Sequence, residues 1–223
     1  MPVNEDEDVA KISGHDAPPR TSSPSFSELW RPPYRRRIVM LIIFQALQTL
    51  GFYGFSNWAP TFLVNKGITL IRSLDYTMII AAASPIGPLL GAATSDRIER
   101  KWTLVVLALL VGALGLAFSS SSSARAIIST GALVTISNYW FSAVFHAYQS
   151  ELFPTRLRAT GVGFTYCWSR LSAAFSSVLI ARVLSHGVPA VFILISAAMV
   201  GVAATVAILG PKTNRKRLEE LSA

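Results

Sequence analysis

Inside an apolar run that begins at Ala159 and continues for about 25 residues, Arg170 is the one full charge away from the ends, Arg182 standing two residues before its close. A run of that length crosses the ~30 Å hydrocarbon core of a bilayer as one helix. Arg170 lies 12 residues beyond Arg158, which at about 1.5 Å per residue puts it roughly 18 Å along that helix, near the midplane. A cation at that depth costs at least ~2.5–3.5 kcal/mol unless something solvates it, so it must face a bundle interior or a water-filled cavity. Such a fold handles something polar inside a membrane. The segment just before, E-L-F-P-T-R-L-R from Glu151 to Arg158, is polar and interrupted by Pro154. Proline removes a backbone donor and disfavours helix at Phe153, so a short turn between two helices is expected there.

The run containing Arg170 is one of six, at roughly 38–64, 74–95, 102–119, 126–150, 159–184 and 188–210. Each has the length of a membrane-crossing helix. A chain with 52% hydrophobic and 14% charged residues and a mean hydropathy of +0.46 is too apolar for a soluble domain of this size. The second run carries S-P-I-G-P, with Pro85 and Pro88 mid-run, so that helix should bend. Residues 1–27 are acidic, then rich in Pro and Ser, without hydrophobic period, and are expected to form a disordered tail. The acidic start, M-P-V-N-E-D-E-D, is unlike the basic start of a signal peptide, so no cleaved leader is expected. Trp30, Tyr34 and Arg35–Arg37 then form an aromatic, basic collar that reads as an interfacial anchor.

The formal charge of +8 would suit a nucleic-acid partner, but the basic residues sit at the ends of the apolar runs. Arg31, Arg35, Arg36, Arg37, Arg97, Arg100, Lys101, Arg156, Arg158, Lys212, Arg215, Lys216 and Arg217 flank one side, against Lys66, Arg72, Arg125 and Arg182 on the other. That asymmetry predicts cytoplasmic termini by the positive-inside rule and requires no nucleic acid. One cysteine, Cys167, and three scattered histidines, His15, His146 and His186, leave no disulfide framework and predict no metal site. No phosphate-binding glycine loop and no nucleophile beside a base is present, so neither an enzyme nor a cofactor is expected.

Plotted at 100° per residue, three runs carry polar stripes. Gln45, Gln48, Thr49, Phe52 and Ser56 share one face; Thr135, Asn138, Ser142 and Gln149 share another, with Gly131 at its end; Gly163, Tyr166, Cys167, Arg170, Ala174 and Ser177 align on a third. Such stripes either glue helices together or line a solute cavity. With a midplane arginine among them, Gln45, Gln48, Ser56, Asn138, Ser142, Tyr166 and Arg170 are the candidate solute-binding residues. The acidic residues Asp75, Asp96, Glu99 and Glu151 all lie at run ends. His146 is therefore the titratable candidate for proton coupling within a run.

Four segments resemble one known family. Gly87–Lys101, G-P-L-L-G-A-A-T-S-D-R-I-E-R-K, resembles the signature loop G-x-x-x-D-R-x-G-R-R of major facilitator superfamily transporters, with Asp96, Arg97, Arg100 and Lys101 matching, Ala92 at the first glycine and Glu99 at the second. E-L-F-P-T-R-L-R-A-T-G resembles the segment closing the tenth helix in the sugar and organic-acid branches. Pro211–Glu220 is similar to P-E-T-K-G-R-x-L-E-E, with Lys212 in place of Glu, and G-F-Y-G-F-S-N-W-A-P-T-F-L is similar to the seventh helix of metabolite-proton symporters.

The resemblance covers residues from about 28 onward and corresponds to the second half, helices 7 to 12, of such a transporter. It implies an all-α membrane protein whose six transmembrane helices, residues 28–210, form two inverted three-helix repeats, followed by a cytoplasmic tail at 211–223. It also implies that Asp96, Arg97, Arg100, Glu151 and Arg158 form a cytoplasmic charge network closing an inner gate. The expected function is half of a secondary transporter in the cell (inner) membrane, moving a small organic solute, an organic anion or related metabolite, coupled to protons. Its expected partners are the lipid bilayer, the small-molecule solute, and a complementary six-helix half or a second copy. The competing reading is a truncated, non-transporting membrane remnant or assembly partner, whose stripes only pack helices.

Overall fold

The structure, a computed structural model, describes residues 26–95 and 97–213. The expected tail, apart from its last two residues, lies outside that set, as do Asp96 and residues 214–223. Phe26 and Ser27, within the stretch expected to be a tail, belong to a 3-10 turn, Phe26–Trp30. Leu29 of this turn is fully buried, Phe26 and Trp30 meet the Phe164 ring edge-on, and Glu28 pairs with Arg156. Part of the collar thus docks on protein.

Eight helices follow: α1 Tyr34–Ser56, α2 Ala59–Asn65, α3 Leu70–Ala82, α4 Ile86–Ser95, α5 Arg100–Ser120, α6 Ala124–Glu151, α7 Thr155–Leu184 and α8 Val188–Leu209. They make six stretches long and apolar enough to cross a membrane, with α3 and α4 forming one of them. The bend expected at S-P-I-G-P is there, as a turn at residues 83–85 between α3 and α4. The first run, read as continuous from 38 to 64, is instead divided at Asn57 and Trp58. Pro60 has no N–H to donate to the carbonyl four residues back, at Ser56, and its ring crowds the helix there. Pro154 separates α6 from α7 with extended backbone (φ −61°, ψ 156°), as its chemistry requires.

Two triplets of spans are visible in the packing. The first comprises α1 with α2, α3 with α4, and α5; the second comprises α6, α7 and α8. The pairings α1 on α7, α1 on α8 and α5 on α8 recur as α6 on α3 and α4, α6 on α5, and α8 on α5 when the triplets are exchanged. With three crossings each, the second triplet enters from the side where the first ends, which is an inverted repeat.

Aromatic rings fill the seams. Phe44 lies parallel to Phe141 and Phe145, with centroids 5.5 and 4.1 Å away. Phe118 and Phe192 form a cluster with Phe55 and Phe62 nearer the other end. Burial is uneven. In the most apolar windows of α3–α4 and of α7 only 17% of residues are buried, against 44–50% in the other spans. Those two spans flank a bare face.

Candidate solute cleft and terminal charge cluster

A cleft of about 120 Å3 opens between α1, α6 and α7, lined by Gln45, Gln48, Phe52, Tyr53, Ser142, Phe145, His146, Tyr166 and Ser169. Helical periodicity places them. Gln45, Gln48 and Phe52 follow one another at three- and four-residue steps on α1; on α6 Phe145 and His146 stand three and four residues after Ser142, and on α7 Ser169 stands three after Tyr166. Gln48 donates Nε2 to Gln45 Oε1 at 3.2 Å. Gln45 itself is completely buried, and its own Nε2 has no hydrogen-bond partner. A buried amide donor left unpaired is costly, so it is a ready site for an acceptor atom of a guest.

Arg170 sits at the rim. Its guanidinium carbon lies 4.6 Å from the Tyr166 ring centroid and 5.8 Å from that of Tyr53, and Nη2 donates to the Tyr166 hydroxyl. The side chain is exposed on the open face rather than enclosed by these six spans. Two aromatic faces hold the cation in place, while its remaining N–H groups are available to an anion.

Of the seven candidate solute residues, the structure brings Gln45, Gln48, Ser142 and Tyr166 into the cleft wall and sets Arg170 on its rim through Tyr53 and Tyr166. Ser56 and Asn138 do not join them. Ser56 shares the azimuth of Gln45 but lies 11 residues away, about 16 Å along the helix, exposed at the end of α1. Asn138 is 2% exposed and faces the helix packing, with Nδ2 unpartnered.

Other members of the stripes are glue. Thr49 and Ser169 hydroxyls meet at 3.1 Å between α1 and α7, and Gln149 Nε2 donates to Thr165 Oγ1 at 3.2 Å between α6 and α7. Tyr53, Phe145 and Ser169 were not among the candidates. Their signal was spacing, since Phe145 lies three residues after Ser142, and Ser169 three after Tyr166 and one before Arg170. An aromatic in an apolar run nevertheless reads as core.

At the end bearing the termini, Arg100 Nη1 meets Glu151 Oε1 at 2.9 Å, and Arg100 Nε donates to Ser95 Oγ at 3.1 Å. This joins α4, α5 and α6. Of the other expected members, Arg97 is exposed and Arg158 has a buried Nε without a hydrogen bond; neither forms an ion pair among the described residues. Glu151 Oε2 is likewise buried and unbonded. Asp96 lies outside the described residues. Glu99 Oε1 accepts from the Thr213 N–H at 3.1 Å, and the Tyr148 hydroxyl donates to the Pro211 carbonyl at 2.9 Å, which fastens the chain beyond α8 to α5 and α6. Among the described residues no group of three or more His, Cys, Asp or Glu could hold a metal ion.

Sequence relatives agree in kind. YyaJ of Bacillus subtilis, named as a metabolite transport protein, is 33% identical over 82% of this chain and 42% of its own length. The niacin transporter NiaP of Acinetobacter baylyi is 28% identical over 88% of the chain and 45% of its own length. The inner membrane metabolite transport protein YdjE of Escherichia coli is 29% identical over 89% and 44%. These are transport proteins rather than enzymes, and the chain spans about half the length of the curated relatives it matches. With the Major Facilitator Superfamily profile matching residues 2–177, well over half of the sequence, this multi-pass membrane protein belongs to that superfamily.

Proposed function

We propose that this chain forms one six-helix wall of a proton-coupled secondary transporter for a small organic anion, with the cleft beneath Arg170 as its part of the solute site. The observation carrying this reading is a guanidinium held by two tyrosines and without an ion pair among the described residues, beside a polar cleft that contains an unpaired buried amide, on a face that the six spans leave bare. The solute's carboxylate meets Arg170, and Gln45 Nε2 donates to an acceptor deeper in. Phe52, Phe145 and Tyr53 flank its apolar body. NiaP, together with a benzoate transport protein of Acinetobacter baylyi that is 26% identical over 61% of this chain, makes small carboxylates the class to try first.

A second six-helix unit, a complementary half or another copy, covers the bare face and closes the cleft. His146, in the cleft wall, is the group that exchanges the coupling proton, because imidazole titrates in the physiological range. The termini face the cytoplasm, and the membrane is the cell (inner) membrane. There Arg100 and Glu151 hold the inner gate in the state seen here, while Glu151 Oε2 and Arg158 Nε, both unbonded, are the groups another state would pair.

The test is equilibrium binding of nicotinate and of benzoate to the purified chain in lipid nanodiscs. Saturable binding should weaken by about 10-fold in Arg170→Lys, which keeps the charge but loses the two-pronged geometry, and by more in Arg170→Gln. Binding unchanged by Arg170→Gln, or no binding of either anion by the parent protein, would remove the anion site from this cleft.

A further inference from the structure

The three arginines of the collar have separate fates. Arg37 is buried and donates Nη1 to the Leu152 carbonyl at 2.7 Å; Arg36 donates Nη2 to the Ile208 carbonyl at 2.8 Å. The Arg35 side chain is exposed and has no hydrogen-bond or ion-pair partner among the described residues. Beside Arg35 and Arg36 runs a groove of about 540 Å3, more than four times the volume of the solute cleft, walled by Pro32, Pro33, Val39 and Leu209. It lies where the first span begins and the last one ends, at the boundary between apolar helix and polar chain. Lys101 and Lys212 stand close enough to share a field, since Lys101 feels both Lys212 and Arg36. The carboxylate near them, Glu99, is already engaged by the Thr213 N–H. Among the described residues four cations thus gather at this end against one carboxylate, and two of them, Arg35 and Arg36, stand in the wall of the apolar groove itself.

We infer that this groove binds an anionic phospholipid of the leaflet on the side of the termini, with its phosphate at Arg35 and Arg36 and one acyl chain against Val39 and Leu209. The occupant follows from both chemistries being present at this depth. A free phosphate would gain nothing from the apolar wall, and a zwitterionic lipid brings a cation of its own that offsets the attraction of its phosphate to the excess of positive charge. Arg36 has a second role as a brace on α8. Lipid bound here would steady the junction between α1 and α8, on the side away from the cleft.

Native mass spectrometry of the full chain, released from nanodiscs containing phosphatidylglycerol and phosphatidylcholine in equal amounts, tests this. The parent should retain phosphatidylglycerol preferentially. The double substitution Arg35→Gln with Lys212→Gln, which touches no internal hydrogen bond seen here, should lower that retention by about 10-fold or more, the scale expected for two surface cations. Val39→Trp, which fills the slot and keeps every charge, should lower it too. Millimolar inorganic phosphate should not compete, and the variants should melt with the parent. Equal retention of the two lipids by the parent, full phosphatidylglycerol retention by the double variant or by Val39→Trp, or displacement by inorganic phosphate would each overturn the inference.

Discussion

Lys66 shows how one side chain takes a role that its position in the sequence does not advertise. Among the flanking charges it counts only as a minority cation on the side away from the termini. In the fold its Nζ donates to the carbonyls of Phe118 and Ser121 at 2.9 and 2.8 Å and lies 5.5 Å from the Phe118 ring, capping the C-terminus of α5. Burial lowers its pKa below the ordinary lysine value, while two carbonyls at the negative end of a helix favour the charged form. Lys66→Met should therefore cost about 1–2 kcal/mol, from lost charge-assisted bonds partly offset by the relieved desolvation. A lower melting temperature in detergent, with helix content retained, is the expected readout; an unchanged one would show that water caps α5 equally well. Arg37 and Arg36 do the same for the last turns of α6 and α8 at the opposite end, on Leu152 and Ile208.

Between elements, the seam of α4 against α6 brings one helix close to the backbone of the other. A Cβ built on Gly87 would stand 2.6 Å from Tyr139 Cβ and 2.7 Å from both the Ile136 carbonyl oxygen and the Trp140 nitrogen; one on Gly91 would stand 2.7 Å from Ala143 Cβ. Two glycines four residues apart on one face let the backbones meet, which is the membrane route to tight helix packing where burial from water contributes little. Trp140 Nε1, donating to Thr94 Oγ1 at 3.0 Å, locks the same seam. Because the atoms that Gly87 would strike include backbone, Gly87→Val should separate the helices and destabilise the fold by roughly 1–3 kcal/mol or more. Size-exclusion profile and melting temperature should both deteriorate, whereas Gly163→Val, on open space, should leave them intact. Equal behaviour of the two variants would refute the tight seam.

For the whole molecule, orientation is the first quantity to measure. Arg97 and Ser122, exposed near opposite ends of α5, are suitable reporters, whereas Glu99 is held by Thr213. In a Cys167→Ser background, a membrane-impermeant thiol reagent on intact cells should label Ser122→Cys and spare Arg97→Cys, following the basic excess on the side of the termini. Labelling in the reverse pattern would invert the topology. The bare face of α3–α4 and α7 belongs to this scale as well. It exposes Arg170, Cys167 and Ser177 together with Leu171 and Phe175.

Span number, span length, the bend at Pro85 and the turn at Pro154 were legible in the sequence, because a bilayer demands a fixed length of apolar helix and proline acts on its own backbone. Pro60 carried the same information, and the apolar run around it concealed the break. What the linear pattern could not separate was glue from cleft. Thr49 and Gln48 are neighbours on one stripe, yet Thr49 meets Ser169 in the α1–α7 seam while Gln48 faces the cleft. Stripe membership is a property of one helix, whereas the role of each member depends on which helix stands opposite and at what depth. The same holds for Asn138 against Ser142, for Tyr53 and Phe145, which read as core until a cavity appears beside them, and for Arg36, Arg37 and Lys66, whose acceptors belong to other helices. Only the tertiary packing of the two triplets decided those pairings, because a side chain's partner is set by the relative rotation of helices that no single helix encodes.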